Sequence, residues 1–310
     1  MIIYTHNDCF KKFNGFGHPE RKERLESIIN SIKSSSDLDV KFKSAPLAIM
    51  STISLVHPQK YIDELFYKIP FEGLQGVEKE PYADTMLCPY SKNAILRSCG
   101  AGIAAADDLM VNNERVFCAV RPPGHHAESV RANGFCFINN VAVTARYLQK
   151  KYKINKIAII DFDVHHGNGT QEIFYKDKSV LYASSHEFPL FPGTGTEYET
   201  GVGNIFNAPI KSGIKGKDFL KIFEKKIINP VDKFKPEVIL ISAGFDAHVR
   251  DPLSNINLES EDYFEITKKI VDIAKIHSKG RVISFFEGGY DLVALSESVI
   301  EHLKALKSHI

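Results

Sequence analysis

The sequence predicts an α/β fold, a single doubly wound parallel-sheet domain that spans residues 1–310. Five short apolar runs recur along the chain, and a turn rich in Gly, His or Asp follows each one. Such runs are typical of buried parallel strands. Segments with helical spacing lie between them, and this alternation indicates helices on both faces of one sheet. A chain of 310 residues, 44% hydrophobic and 25% charged, suits one such domain.

The predicted elements follow one another in a regular order. The strand segments are short and almost wholly apolar, namely Val116–Val120, Ile157–Ile160, Val180–Ala183, Val238–Ile241 and Val282–Phe286. The helical segments have apolar residues every three or four positions, and they are Arg21–Ile32, Asn93–Met110, Asn139–Lys151, Lys217–Ile228, Tyr263–His277 and Leu292–Leu306. A linker-like segment, Phe71–Asp84, is too short to separate two domains.

Charge and composition exclude several classes of protein. The 39 basic and 38 acidic residues nearly cancel, whereas proteins that bind nucleic acids or membrane surfaces usually carry a basic excess. We therefore expect no nucleic acid and no membrane as partners. With no membrane-length apolar run and no signal peptide at the N-terminus, we expect a cytoplasmic protein. The five cysteines form no Cys-x-x-Cys pair, so neither a disulfide framework nor a thiolate zinc site is indicated.

Unusual polar residues collect in five turns that follow the predicted strands. They are Arg121–His126, Asp161–Gly169, Ser184–His186, Ser242–Asp246 and Glu287–Asp291. In open α/β sheets, ligands bind in the crevice beyond the carboxyl ends of the strands. We therefore expect the functional site where these turns meet.

The pattern Asp163-x-His165 is the strongest local indication of a metal site. Residues i and i+2 of an extended segment point the same way, so a carboxylate and an imidazole converge. Asp246, in the equivalent turn of another strand, is the natural third ligand. Such a set leaves a position open for water, as catalytic zinc sites do. The alternative is that Asp163 caps the next helix and His165 fills a polar niche in the core.

Two neighbouring histidines, His125 and His126, follow two prolines and a glycine in a rigid turn. Tandem histidines suit proton transfer near neutral pH. Asp161 and Asn168 could each hold one imidazole at Nδ1–H, the arrangement of an oriented base. The alternative is that both histidines only bind backbone carbonyls.

Tyr290 follows a glycine pair that lets the backbone turn sharply and bring the phenol inward. Its hydroxyl could stabilise an oxyanion opposite a metal, whereas a lone tyrosine is more often packed beneath a loop. Two further loops, around Phe135 and Phe191, add aromatic residues. Phenylalanines on loops more often pack locally than form a substrate wall.

Five groups of motifs, in this order, resemble the superfamily of histone deacetylases, acetylpolyamine amidohydrolases and acetoin-utilisation proteins. They are His18-Pro19-Glu20-Arg21 with Arg24, RPPGHHA from Arg121, GFCFINN from Gly134, DFDVHHGNG from Asp161, and AGFDAHVRDPL from Ala243 with EGGYD from Glu287. The resemblance covers about His18 to Tyr290 and implies the arginase-deacetylase fold. The HHGNG and AGFDAH forms are similar to the class II branch and its bacterial relatives.

The resemblance implies a zinc-dependent hydrolase that removes the acetyl group from linear N-acetylated amines. It makes Asp163, His165 and Asp246 the ligands of one Zn²⁺ per chain. The substrate-binding residues that it implies are Gly134, Phe135, Phe191 and Leu253. A structural potassium ion would lie near Asp161, Asp163, His165 and Ser184, and Arg24 matches a residue beside an internal product channel.

The catalytic roles that the resemblance implies fall to five residues. His126 would be the principal general base and later the acid, with His125 as its electrostatic partner. Asp161 would hold His125, and Asn168 would hold His126. Tyr290 would donate a hydrogen bond to the tetrahedral oxyanion.

The substrate is expected to be an acetylated small molecule, peptide or protein. The sequence is compatible with either a monomer or an oligomer. Acetyl-lysine side chains are favoured because the loops expected at the rim carry mixed charge, which attracts no dication; these charges are Glu20, Arg21, Glu128, Arg131, Arg250 and Asp251. The alternatives are an acetylpolyamine amidohydrolase and a non-catalytic protein that binds acyl chains. An arginase-like two-manganese enzyme is disfavoured, since His166-Gly167 and Ala247-His248 replace the carboxylates it needs.

Overall fold

Runs of consecutive apolar residues form the central strands of a parallel sheet. Helices cover both faces of such a sheet, so successive residues of a strand are buried, not alternate ones. The computed structural model describes residues 1–77 and 83–308. The strands within these residues are β1 (Ile2–Thr5), β2 (Lys41–Ser44), β3 (Gln75–Gly76), β4 (Met86–Leu87), β5 (Val116–Cys118), β6 (Ile157–Asp161), β7 (Val180–Glu187), β8 (Ile205–Ile210), β9 (Val238–Ala243) and β10 (Val282–Phe286).

Eight of these strands form one sheet in the order β2-β1-β5-β10-β9-β6-β7-β8, and neighbouring strands are parallel. β3 and β4 form a separate antiparallel pair. The chain runs from β6 to β7 on one side of the sheet but from β9 to β10 on the other. Since β6 and β9 are neighbours, a crevice opens between their carboxyl ends, where such sheets bind ligands.

Helices alternate with the strands and confirm the doubly wound α/β fold. They are α1 (Asp8–Lys11), α2 (Lys22–Ser34), α3 (Met50–Ile53), α4 (Gln59–Tyr67), α5 (Ser91–Asn112), α6 (Asn140–Tyr152), α7 (Asn168–Phe174), α8 (Gly216–Phe223), α9 (Asn229–Phe234), α10 (Ser260–His277) and α11 (Leu292–Lys307). A capping box of Glu259 and Asp262 begins α10. The Asp291 carboxylate accepts from Ala294 N at 2.8 Å and begins α11.

The core lies between the sheet and the helices on its two faces. Ile159 and Ile160, which point to opposite faces of β6, are both fully buried, as are Leu240 and Ile241 of β9. Burying an isoleucine or leucine side chain contributes roughly 1.5–3 kcal/mol before entropy costs. The central strands are therefore the most stabilised part of the sheet, and they support the turns that follow them.

The sheet is wider than the sequence analysis predicted. The five predicted strands are present, although β5 ends at Cys118 and not at Val120. Three further strands, β1, β2 and β8, lie toward the two edges. Lys41-Phe42-Lys43-Ser44 forms β2 without an apolar run, as edge strands often do. β8 contains Pro209, which an edge strand tolerates because one side needs no ladder hydrogen bond.

Two other predictions about the elements are wrong. Ser184–His186 is not a turn, since these residues continue β7 and pair with Asn207, Ala208 and Pro209 of β8. The segment Lys217–Ile228 is not one α-helix. α8 ends at Phe223, and a π-helical turn over Glu224–Ile228 joins it to α9.

Residues 78–82, which belong to the linker-like segment Phe71–Asp84, lie outside the described residues, as do residues 309 and 310. Among the helices that the structure describes, none has both the length and the apolar character of a membrane span.

Candidate active site

The two predicted aspartate ligands and the histidine meet at the crevice between β6 and β9. Asp163 and His165 follow β6, and Asp246 follows β9. Their candidate ligand atoms all lie within 4.8 Å of one another. His165 Nδ1 is 3.2 Å from Asp163 Oδ1 and 3.1 Å from Asp246 Oδ2. The structure therefore brings together a buried Asp/His/Asp triad.

The backbone around the triad is shaped to bring the carboxylates close. Asp163 Oδ2 accepts from Gly288 N at 2.7 Å, and Asp246 Oδ1 accepts from Val164 N at 2.9 Å. A Cβ atom at Gly288 would overlap Asp246 Oδ2 and lie 2.6 Å from Asp163 Oδ2. The next helix, α7, has Gly167 at its N-cap, and no side chain caps it. Asp163 is therefore not a helix cap.

The charge of the triad suits a cation. Two buried carboxylates side by side are unfavourable unless a positive group lies between them. In the metal-free protein a proton serves this purpose, since hydrogen bonds to Asp163 and Asp246 outweigh burial and raise the pKa of His165 to about 10. A divalent cation would replace that proton. Two oxygens and one nitrogen with room for a further ligand are a donor set that fits Zn²⁺.

The two neighbouring histidines are held by the predicted partners. His125 Nδ1 lies 3.1 Å from Asp161 Oδ2, and His126 Nδ1 lies 2.8 Å from Asn168 Oδ1. The two imidazole rings are 3.9 Å apart between centroids. Tyr182 donates its hydroxyl to Asp161 Oδ2 at 2.9 Å, so the carboxylate that orients His125 is itself oriented.

The pKa values of the two histidines are displaced in opposite directions. Burial disfavours the imidazolium of His125, but the charges of Asp163 and Asp161 outweigh it and raise the pKa of His125 to about 10. Burial lowers the pKa of His126 well below its usual range, and the charges of His125 and His165 lower it further. The pair therefore consists of one charged and one neutral imidazole in the metal-free protein.

Tyr290 reaches the site from the turn after β10. Arg24 donates from Nε to Gly289 O and from Nη2 to Glu287 O, each at 2.6 Å, and its guanidinium lies 4.6 Å from the Tyr290 ring. Asp251 Oδ2 accepts from Tyr290 N at 2.7 Å. These three hydrogen bonds fix the backbone of the turn, so the phenol is held toward the crevice.

A cavity of about 430 Å³ leads to the triad, and His125, His126, His165 and Tyr290 line it. The predicted substrate-binding residues Gly134, Phe135, Phe191 and Leu253 also line it. The ring of Phe191 packs edge-on against His126 with centroids 5.1 Å apart. Gly134 and Phe135 have φ values of 51° and 67°, in the left-handed region that costs a phenylalanine about 1 kcal/mol. In this conformation the Phe135 ring forms part of the cavity wall.

Ser184 belongs to a different set of contacts from the triad. Its hydroxyl lies 2.9 Å from His186 Nδ1. The structural potassium ion expected beside Asp161, Asp163, His165 and Ser184 stays a prediction.

Sequence reasoning missed several buried charges around the site. Glu287 Oε2 accepts from Gly124 N at 2.7 Å and from His125 N at 3.3 Å, and burial raises the pKa of Glu287 to about 7. Glu20 is fully buried in an ion pair with Arg121. Glu287 directly follows the apolar strand β10. A charged residue at that position is the sequence feature that could have indicated a place in the site.

The expected rim of mixed charge is wrong, since none of its six charged residues is among the described residues that line the cavity. Glu20 and Asp251 are not on the rim, since Glu20 is fully buried and Asp251 is 7% exposed. Glu128 is half-buried and bonds to Asn168. The mouth of the cavity has His18, Leu190 and the exposed Asp84 instead.

Comparison with known proteins agrees with this geometry. A sequence model described as the histone deacetylase domain matches residues 18–306. The chain is 33% identical to "Histone deacetylase 14, chloroplastic" of Arabidopsis thaliana, over 94% of this chain and 74% of that protein. It is also 33% identical to a "Probable deacetylase" of Archaeoglobus fulgidus, over 94% of this chain and 81% of that protein.

A solved structure shares the fold. The crystal structure of the HDA15 HD domain matches with a TM-score of 0.89 and 30% sequence identity, and the match covers 98% of this chain and 88% of that one. The predicted arginase-deacetylase type of α/β fold is thereby confirmed. The family model and the solved structure both match nearly the whole chain. The chain therefore belongs to the histone deacetylase family.

Proposed function

We propose that the protein is a zinc-dependent deacetylase that hydrolyses the acetamide of linear N-acetylated amines, giving the free amine and acetate. We propose acetyl-lysine side chains as its favoured substrates. The observation that supports this most is the buried Asp/His/Asp triad at the end of a cavity that two histidines and a tyrosine also line. Relatives named deacetylases support hydrolytic deacetylation in general.

Asp163, His165 and Asp246 would hold one Zn²⁺ per chain. When bound, the ion would polarise the amide carbonyl and lower the pKa of the attacking water. The backbone N–H groups of Val164 and Gly288 hold the two carboxylates in place. The ligands are thus oriented before a metal arrives.

His126 would remove a proton from the attacking water and later return it to the leaving amine. Its lowered pKa leaves the ring neutral, and Asn168 occupies the Nδ1 side, so Nε2 is the atom that accepts the proton. His125, whose Nδ1 lies 3.1 Å from the Asp161 carboxylate, would contribute a positive charge beside the reacting carbonyl. That charge favours the negative charge that develops there.

Tyr290 would donate its hydroxyl to the developing oxyanion. Burial raises the pKa of Tyr290 well above its usual range, so the phenol keeps the proton that it must donate. Phe135 and Phe191 would flank the alkyl chain of the substrate, and Leu253 would line the rim. Gly134 O would accept from the substrate N–H, because this loop borders the cavity.

An acetylpolyamine is the second candidate substrate. The exposed carboxylate of Asp84 at the mouth of the cavity favours it, since such a group attracts a second ammonium group. Against it, the remaining described residues that line the cavity carry no further carboxylate. One exposed carboxylate gives a weaker preference than an acidic rim would.

The test is to compare kcat/KM for an acetyl-lysine peptide, acetylputrescine and acetylspermidine. We expect the peptide to be hydrolysed at least as efficiently as either polyamine. A preference of more than about tenfold for a polyamine, which is roughly 1.4 kcal/mol of transition-state binding, would reassign the substrate. Binding of all three without turnover would indicate a non-catalytic member of the family.

A further inference from the structure

The side-chain amide of Asn168 is bonded at both ends. Its Oδ1 lies 2.8 Å from His126 Nδ1, and its Nδ2 donates to Glu128 Oε1 at 2.7 Å and, over a longer 3.5 Å, to His126 O. Asn168 is 8% exposed and His126 is 4% exposed, whereas Glu128 is half-buried. A chain of two hydrogen bonds therefore connects an imidazole that lines the cavity to a carboxylate nearer the surface.

The carboxylate determines which way the amide faces. An ionised carboxylate only accepts hydrogen bonds, whereas an amide has one accepting end and one donating end. With Glu128 in place, a flipped Asn168 would set Oδ1 against Oε1 of Glu128, two acceptors in contact. The NH₂ end must therefore face Glu128, and the carbonyl end must face His126.

The orientation of the amide in turn determines the tautomer of His126. Oδ1 of Asn168 can only accept, so the proton of a neutral His126 lies on Nδ1 and the lone pair lies on Nε2. Without Glu128, Asn168 could present its NH₂ end to His126. The ring would then carry its proton on Nε2, on the side of the cavity, where it could not act as a base.

We propose that Glu128 is a positioning residue of the deacetylase, which keeps Asn168 in the orientation that leaves Nε2 of His126 free to accept a proton. This inference rests on the function proposed above, in which His126 is the general base. Among the described residues, Glu128 is neither one of those that line the first cavity nor a member of the triad. It acts through Asn168 alone.

The position of Glu128 is itself fixed by the backbone. Glu128 and Arg131 form an isolated antiparallel bridge, in which Glu128 N donates to Arg131 O at 2.9 Å. Glu128, Asn168 and Glu172 line a second cavity, of about 400 Å³. The carboxylate is therefore held against Asn168 by a short loop.

The sharpest test exchanges charges between the two partners. Glu128→Gln replaces an acceptor-only carboxylate with an amide that can also donate, so it no longer fixes which end of Asn168 faces it. We expect kcat to fall about tenfold or more with KM within about twofold, as for loss of an outer partner. Asn168→Asp sets two carboxylates against each other and should also lower kcat. The double variant Glu128→Gln with Asn168→Asp restores one donor facing one acceptor. We expect its kcat to exceed that of Asn168→Asp by at least about fivefold.

Glu172→Gln is the matched control. Glu172 lines the same second cavity. It accepts from Ser129 N at 2.9 Å and from Ser129 Oγ at 3.0 Å, and Ser129 follows Glu128 in the chain. Glu172 has no bond to Asn168 in the described part of the chain, so its replacement should leave kcat unchanged. Additive losses in the double variant, or an equal loss in Glu172→Gln, would overturn the proposal.

A second readout does not depend on turnover. In metal-free protein, ¹⁵N NMR of the His126 imidazole should show the Nδ1–H tautomer in the wild type and a mixture with Nε2–H in Glu128→Gln. An unchanged tautomer in Glu128→Gln would overturn the positioning role even if kcat falls. If the wild type hydrolyses no acetylated amine, the proposed function fails, and the NMR result still decides whether Glu128 orients Asn168.

Discussion

At the scale of single residues, burial and neighbouring charges displace the pKa values of three ionisable groups of the metal-free site in different directions. His125 is charged because Asp163 and Asp161 outweigh its burial, His126 is neutral because it is buried beside other imidazoles, and Tyr290 keeps its proton because it is buried. Acid and base roles are often separated in this way, by environments that displace pKa values in opposite directions. The proposed roles of Asp246 and Tyr290 can each be tested with one substitution.

Asp246→Ala should abolish both metal binding and activity. Two ligands cannot replace three, and the remaining Asp163 and His165 would hold a divalent ion only weakly. Metal content measured per chain, with a thermal unfolding scan to confirm the fold, checks this. A variant that keeps one metal per chain would contradict the assignment of Asp246.

A hydroxamate should inhibit the wild type by occupying the open coordination position.

Tyr290→Phe should lower kcat by roughly 10²-fold or more while leaving the metal content unchanged. The variant keeps the ring against Arg24 and loses only the hydroxyl that would bind the oxyanion, and loss of one such donor has an effect of this size. Steady-state kinetics on an acetyl-lysine peptide, beside metal analysis, measures it. Near wild-type turnover would show that Tyr290 only packs.

At the scale of elements, the predictable part of the fold is the part buried on both faces. β6, β9 and β10 have consecutive apolar residues, and the sequence predicts them within two residues of their observed ends. β2 and β8 lie at the edges, where one side faces no neighbouring strand, so their sequences follow weaker rules. The polar end of β7 was predicted as a turn because its pairing with β8 depends on residues distant in the chain.

The N-cap of α11 gives a prediction at this scale. Asp291→Ala should lower the free energy of unfolding by about 1 kcal/mol, because Ala294 N loses its acceptor. Asp291→Asn keeps an oxygen for the cap and should retain most of the stability, although its bond to half-exposed Arg250 becomes weaker. Urea unfolding of both variants measures the difference. Equal losses in the two would show that the ion pair, not the cap, stabilises α11.

At the scale of the whole molecule, residues predicted from separate motifs meet at one crevice. The triad, the two histidines and Tyr290 could be predicted because each lies in a turn after a strand, and parallel strands end at the same edge of the sheet. Glu287 and Arg121 were assigned no role, and Glu20 and Glu128 were expected only as charges at the rim. Their partners are far away in sequence, and a charged residue in a loop looks the same whether it is buried or solvated.

Buried histidines should make the whole fold sensitive to acid. His302 is fully buried between Thr267 Oγ1 at 2.6 Å and Ser284 Oγ at 2.9 Å, and burial lowers its pKa to about 3. Between about pH 6.5 and 3 the unfolded chain binds a proton at this position that the folded chain does not. The contribution of His302 to the free energy of unfolding is therefore fully present above about pH 6.5. It falls as pH decreases, by up to about 1.4 kcal/mol per pH unit.

The variant His302→Gln isolates this contribution. Glutamine keeps a neutral donor and acceptor but does not titrate, so the slope of unfolding free energy against pH should become shallower by up to one proton between about pH 4 and 6. Denaturant unfolding at several pH values measures both slopes. Parallel slopes in the two proteins would show that His302 does not contribute.

The strand order also determines when the site can exist during synthesis. β5 and β6 are separated in the sheet by β10 and β9, which are the last two strands of the chain to be made. A nascent chain that ends before Val238 has no central strands to join its two halves, and it lacks Asp246 altogether. His165 and Asp246 are 81 positions apart, so their meeting reports that the distant segments have come together. If the triad binds a metal, metal uptake during refolding would therefore mark the pairing of β6 with β9, not an early local step.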